Sequence, residues 1–135
     1  MDELIAQAEA MGLRIKWTNL GRRTGQVQRS GLVFINDRKS ELTQRCALAH
    51  EMGHWAHGHD WSAAHDVVRD ELQADTYAAR LLISPVDYAL AERLHDGHAG
   101  AIARELGVSA RLVEVWRDHV LRRTVPACHA LLRAV

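Results

Sequence analysis

Apolar residues recur at helical spacing through Leu4, Ile5, Ala8 and Met11 and stop at Gly12, which predicts a first helix over residues 2–11. Three short runs follow, residues 14–18, 25–28 and 32–36, set apart by Asn19, Gly21 and Ser30-Gly31. Runs of this length between turn residues predict a small antiparallel sheet. From Ser40 the chain reads as all-helical, with helices over residues 40–57, 66–82, 86–94, 99–106 and 110–123. Ser40 is a fitting N-cap for the first of these, along which Leu42, Cys46 and Ala49 repeat at helical spacing. The breaks at Ser84-Pro85 and Asp96-Gly97 are the only boundaries. The second divides an expected core over residues 1–95 from a helical segment over residues 96–135 packed on it. The fold class expected from this pattern is α+β, a small N-terminal sheet with a helical remainder.

Composition narrows the function. At 135 residues and 47% hydrophobic, the chain has material for one domain-sized core. Lys plus Arg and Asp plus Glu are 17 each, so no global field steers the molecule to nucleic acid or membrane. No apolar run reaches the length of a membrane span, and the acidic start Met1-Asp2-Glu3 lacks the basic region of a secretory signal, so a cytoplasmic protein is expected. Cys46 and Cys128 are far apart and form no Cys-x-x-Cys, which argues against a disulfide framework or a cysteine zinc site. Cys46, one turn before His50, is read as a small buried helix residue rather than one facing a metal. The basic stretch Arg14, Lys16, Arg22, Arg23 and Arg29 is read as a solvated sheet face and loop.

The chemistry concentrates at His50-Glu51-Met52-Gly53-His54. Two histidines four apart on a helix leave from one face and can grip one zinc ion, and Glu51 between them can act on a water held by that ion. A chance H-E-x-x-H in a chain with nine histidines arises on the order of a few per cent of the time. The predicted mid-helix setting lowers that rate. Gly53 lowers helix propensity, and its missing side chain suits a close approach by another backbone or the metal.

A catalytic zinc keeps three protein ligands and an open place, so one more donor is expected downstream. A metzincin pattern would put glycine at residue 57 and the ligand at residue 60, but residue 57 is His, the glycine is Gly58 and residue 60 is Asp60. The register is off by one where the chain must turn, which disfavours Asp60. His57 and His59 follow His54 too closely unless the helix stops sharply at Gly58, and are read as exposed polar residues at a helix end. Glu71 is the better candidate. It and Asp75 share one face of a second amphipathic helix, so Glu71 can complete the zinc sphere while Asp75 accepts the outer N–H of a ligand histidine. Ala74 and Ala78 would let the two helices lie close.

The stretch Leu48-Ala49-His50-Glu51-Met52-Gly53-His54, followed by Glu71-Leu72-Gln73-Ala74-Asp75-Thr76-Tyr77-Ala78-Ala79-Arg80-Leu81-Leu82, resembles the ImmA/IrrE family of metallo-endopeptidases over about residues 32–85. Family members show E-x-x-A-[DN]-x-F-A-x-x-L-L-[MI]-P; this chain differs in Tyr77 for Phe, in Met52 where Leu is usual, and in Ser84 between Ile83 and Pro85. The resemblance implies a zincin-like, gluzincin-type fold with Zn2+ on His50, His54 and Glu71, and Glu51 as the catalytic carboxylate. It also implies a protein substrate, typically a helix-turn-helix repressor of a phage, mobile element or stress regulon, with the enzyme acting as anti-repressor. For an oxyanion donor, Tyr77, His57, His59 and His65 are the candidates. The strand over residues 32–36 could offer an edge to an extended substrate or be an ordinary inner strand.

A second module carries a competing message. Residues 102–116 read as a helix-turn-helix: Ala103 allows close packing, Gly107 makes the turn, Ser109 caps the second helix, and Val113 with Trp116 packs back. The alternative function is therefore a non-catalytic regulator that binds DNA or a partner repressor through this segment. Arg111, Arg117, Arg122 and Arg123 could meet phosphate, although Glu105, Glu114 and Asp118 dilute the charge.

Overall fold

The computed structural model describes residues 1–59 and 67–121. The expectations attached to Asp60, His65, Asp66, Arg122, Arg123 and Cys128 lie outside those residues. Helix α1 (Asp2–Ala10) buries Leu4 and Ala8 and leads through Gly12 into strand β1 (Arg14–Thr18). Strands β2 (Gly25–Val27) and β3 (Leu32–Asn36) complete a three-stranded sheet of order β1-β3-β2. Five helices follow: α2 (Glu41–Ala56), α3 (Val67–Leu82), α4 (Pro85–Leu94), α5 (Ala99–Leu106) and α6 (Ala110–Val115), the last running into a π-helical turn (Trp116–Leu121).

The antiparallel expectation for the sheet is corrected to a mixed one. β2 and β3 form the antiparallel hairpin, Gln26 opposite Phe34, whereas β1 runs parallel to β3, Lys16 opposite Phe34. The short β2 folds back on one side of β3, leaving β1 the other side, which it enters in the direction of β3. β3 therefore lies between two strands, and Val33, Ile35 and Asn36 are buried. A near-continuous apolar run suits a strand enclosed on both faces. Asn36 fastens the sheet to the loop before β2: its Nδ2 donates to the Gly21 and Arg23 carbonyls at 3.0 and 2.7 Å, and its Oδ1 accepts from the Arg38 N–H.

Ser40 caps α2, its hydroxyl accepting from the Thr43 N–H at 3.2 Å. The buried stripe of α2 runs through Ala47, Leu48, Ala49 and Met52; of the Leu42-Cys46-Ala49 repeat expected from spacing, Ala49 is buried, Cys46 half-buried against the core and Leu42 exposed. At the other end Gly58 takes φ +59, and the His59 N–H reaches the His54 carbonyl while the Gly58 N–H reaches that of Trp55, both at 3.1 Å. This 6→1 and 5→2 pair is a Schellman cap, which stops the helix and folds the next residue back over it.

Helix α3 crosses α2 at Gly53. A Cβ at Gly53 would stand 2.8 Å from the Cα and carbonyl oxygen of Ala74 and 3.0 Å from Tyr77 Cβ. Gly53→Ala is expected to cost a net of about 1–2 kcal/mol, overpacking outweighing the gain in helix propensity. A thermal melt unchanged by that substitution would show that the helices are not held at this separation.

The α5–α6 pair is a helix-turn-helix-like unit docked on the core. Gly107 turns the chain at φ +68, and Arg45 on α2 donates to its carbonyl at 2.9 Å. Ser109 caps α6, and Leu112, Val113 and Trp116 are buried. The single helix expected over residues 110–123 is α-helical only to Val115 before the π turn. Among the described residues, no helix is long and apolar enough to cross a membrane.

Candidate metal centre

His50 and His54 leave the same face of α2, and Glu71 comes from α3 to meet them. His50 Nε2 lies 3.1 Å from His54 Nε2 and 2.9 Å from Glu71 Oε2, and His54 Nε2 lies 3.1 Å from Glu71 Oε1. Among the described residues, these three form the one group able to hold a metal ion, and Cys46 is not part of it. Tetrahedral zinc with bonds of 2.0–2.1 Å sets its donors about 3.3 Å apart, close to these separations.

The outer ring nitrogens have partners of the kind that orient metal-binding imidazoles. His50 Nδ1 meets Asp75 Oδ1 at 2.8 Å, so it carries the proton and leaves Nε2 bare. Asp75 Oδ2 in turn accepts from Arg111 Nε of α6 at 3.4 Å. His54 Nδ1 lies 2.8 Å from His59 Nδ1. Two Nε2 atoms and a carboxylate converge on one point, an arrangement that a divalent cation satisfies when each ring keeps its proton on Nδ1.

Glu51 points from α2 into the same cleft and is 7% exposed. Burial pushes its pKa up to about 7, and the nearby Glu71 charge adds to this. His50, a hydrogen bond from the Val27 N–H and Arg23 pull the other way. For His50, burial opposes protonation, but the Asp75 hydrogen bond and the charges of Glu51, Asp75 and Glu71 outweigh it, and its pKa is raised. His54 is lowered by burial and by its neighbours His50 and His59, against the pull of Glu71. Burial would raise Asp75, but the His50 hydrogen bond and the charges of His50 and Arg111 hold it below the ordinary carboxylate range. Burial raises the Cys46 thiol.

The cleft over Glu51, His54 and Glu71 has a volume of about 360 Å³ and is walled by β2 residues Gly25, Gln26 and Val27 and by Arg23. A second hollow, on the His50 side, is lined by Thr24, Cys46, Ala47 and Leu112 and shares Glu71 with the first. The edge beside the site is therefore β2. β3 is paired on both sides and offers no edge, so strand addition at residues 32–36 is ruled out.

Other residues singled out in the sequence fall elsewhere. Tyr77 does not line the cleft, and its hydroxyl meets Met11 Sδ at 3.5 Å. His57 is exposed, its ring stacked on that of His59. His59 is not the exposed helix-end residue expected, because the Schellman turn at Gly58 folds it back onto His54. Two residues of the site escaped sequence reasoning, Asp70 and Gln73. Asp70 is buried, 4% exposed, with Oδ1 3.5 Å from His59 Nε2, and Gln73 Oε1 lies 2.7 Å from the same nitrogen. Their i, i+3 spacing on α3 was the available signal.

Two helix-borne histidines, a glutamate from the next helix and a buried carboxylate beside them, under a small sheet, define a zincin-like metallopeptidase. The family model described as the IrrE N-terminal-like domain matches residues 8–115, and the chain belongs to that family, the ImmA/IrrE metallopeptidases. The match extends beyond residues 32–85 to take in the sheet and the α5–α6 unit. A comparison with curated proteins found no match.

Proposed function

We propose that this zinc-dependent endopeptidase of the IrrE type cleaves an extended segment of a protein, a helix-turn-helix transcriptional repressor, and so acts as an anti-repressor. The observation that carries the reading of an extended substrate is the short edge strand β2, whose residues run along the cleft beside Glu51 and the metal donors. Thr24 accepts from the Asn36 N–H and the Gln28 N–H donates to Leu32, so alternation along β2 turns the backbone of Gly25 away from β3 toward the cleft side, where the neighbouring Val27 N–H meets Glu51. The repressor as substrate follows from the family resemblance.

In this reading His50, His54 and Glu71 hold zinc, and Asp75 fixes the tautomer and aim of His50. Zinc bound there supplies Lewis-acid polarisation of the scissile carbonyl and acidifies a water molecule. Glu51, buried in the cleft beside the three donors, takes the water's proton and returns it to the leaving amine. Arg23 in the cleft wall offers a cation to an acidic substrate segment. Of the arginines that could meet phosphate, two are already engaged, Arg111 of α6 with Asp75 and Arg117 of the π-helical turn with the Tyr88 hydroxyl and the Gly97 carbonyl, which disfavours DNA binding through this pair.

Incubating a cell extract with zinc-loaded protein and sequencing new protein N-termini by mass spectrometry tests the proposal. New termini should appear in helix-turn-helix regulators and vanish with a chelator. Cleavage insensitive to chelation, or confined to unrelated proteins, would overturn it.

A further inference from the structure

The two histidines that meet Glu71 are supported differently. His50 is backed by a carboxylate, Asp75, in the manner familiar for metal-binding imidazoles. His54 is backed by another imidazole, and once His54 Nε2 is given to a metal the hydrogen-bond inventory allows that chain to run in one direction only. With His54 Nε2 bare toward His50 and Glu71, the ring's single proton stands on Nδ1, which can reach His59 Nδ1 at 2.8 Å. His59 Nδ1 must then accept, so its own proton stands on Nε2. That nitrogen lies 2.7 Å from Gln73 Oε1 and 3.5 Å from the buried carboxylate of Asp70, both acceptors. The local sequence makes the contact possible. In a Schellman cap the residue after the left-handed glycine folds back toward the residue five before it, here His59 toward His54, a place more often taken by an apolar pair.

We propose that His59 is a positioning residue of the metal centre: it accepts the His54 Nδ1 proton, hands its own Nε2 proton to Gln73 and Asp70, and so fixes the tautomer and aim of His54 from α3. This rests on the reading of His50, His54 and Glu71 as zinc ligands. It removes His59 from the oxyanion donors, since both ring nitrogens are committed to His54, Gln73 and Asp70. It also gives the buried Asp70 a purpose, as the anionic end of a chain that begins at the metal.

The test is zinc affinity, measured by competition with a chromophoric chelator on the whole protein and needing no peptidase activity. His59→Phe keeps a ring of similar size without an acceptor, and is expected to weaken zinc binding about 10- to 100-fold, the range found when outer partners of metal ligands are lost. His59→Asn places an oxygen where Nδ1 stood, and should stay within about threefold of the parent. A purely structural packing role predicts the reverse order. The visible spectrum of the cobalt(II)-loaded protein should change in His59→Phe and not in His59→Asn. If His59→Phe does not fold, His59→Ala removes the same acceptor without bulk and carries the same expectation. Parent-like zinc binding in the variant lacking the acceptor, or loss in His59→Asn equal to that in His59→Phe, overturns the proposal. A parent protein that takes up no zinc would instead overturn the reading of the site.

Discussion

Glu51→Gln is expected to lose cleavage by about 10²–10⁴-fold, the range for removing a general acid–base group, while zinc still binds. The same variant should be more stable than the parent when both are metal-free at pH 8. The free carboxylate ordinarily titrates near 4.5, and in the fold it is pushed up to about 7. The folded state thus binds the Glu51 proton more tightly than the unfolded state does. The stability this confers is fully present below the unfolded pKa and is lost as pH rises through 7. Gln is isosteric with the protonated acid and keeps that state at every pH. The difference in unfolding free energy between variant and parent should therefore be near zero below pH 4.5 and rise to about 3 kcal/mol above pH 7. Denaturant melts of both proteins at pH 4.5, 6 and 8 measure it. Taking the difference removes the contributions of His54 and Asp75, while His50, whose pKa the Glu51 charge helps to raise, enters it together with Glu51. Retained cleavage would remove Glu51 from the chemistry, and a difference independent of pH would mean that its burial is not what holds it protonated.

Glu71→Ala separates metal binding from folding. The Glu71 side chain is 53% exposed, and the two half-buried histidines that it contacts each keep an Nδ1 partner, Asp75 or His59, when it is lost. The metal-free variant should therefore melt within about 0.5 kcal/mol of the parent. Zinc is a different matter, because only two imidazoles would remain. The affinity loss should exceed the roughly 10–100-fold expected for an outer partner such as His59. In the parent, zinc at a hundred times its dissociation constant adds about 2.7 kcal/mol to stability, and the same concentration should leave Glu71→Ala nearly unmoved. Equal zinc-induced shifts in the two proteins would mean that the third donor is another residue. Asp60→Ala, measured alongside, shows whether it is that one.

Much of this arrangement was legible in the residues because its signals are local. Ser40 as a cap, two histidines one turn apart, and an i, i+4 acid pair on the following helix need only helical geometry to be interpreted. What was missed depends on contacts between segments distant in sequence. The direction of β1 against β3 is chosen by which side of β3 the hairpin leaves open, and no period in residues 14–18 encodes it. Asp70 carries no mark of its own in the sequence, since nothing in its neighbours says that His59 will arrive above it. The reach of His59 was visible only in part. Gly58 flagged a stop, but folding back over the helix rather than continuing outward follows from the left-handed geometry that Gly58 adopts. The helix-turn-helix pattern was likewise correct as a shape and silent about which face would be covered.

Asp70, Glu71, Gln73 and Asp75 all stand on α3, while the groups they hold stand on α2 and its cap. One residue of slippage along α3 would shift that helix by 1.5 Å and rotate it by 100°, and every one of these partners would leave together. Zinc held by donors from both helices would therefore bind the seated form of α3 better than a slipped one, and would add to the grip that the helices already have at Gly53.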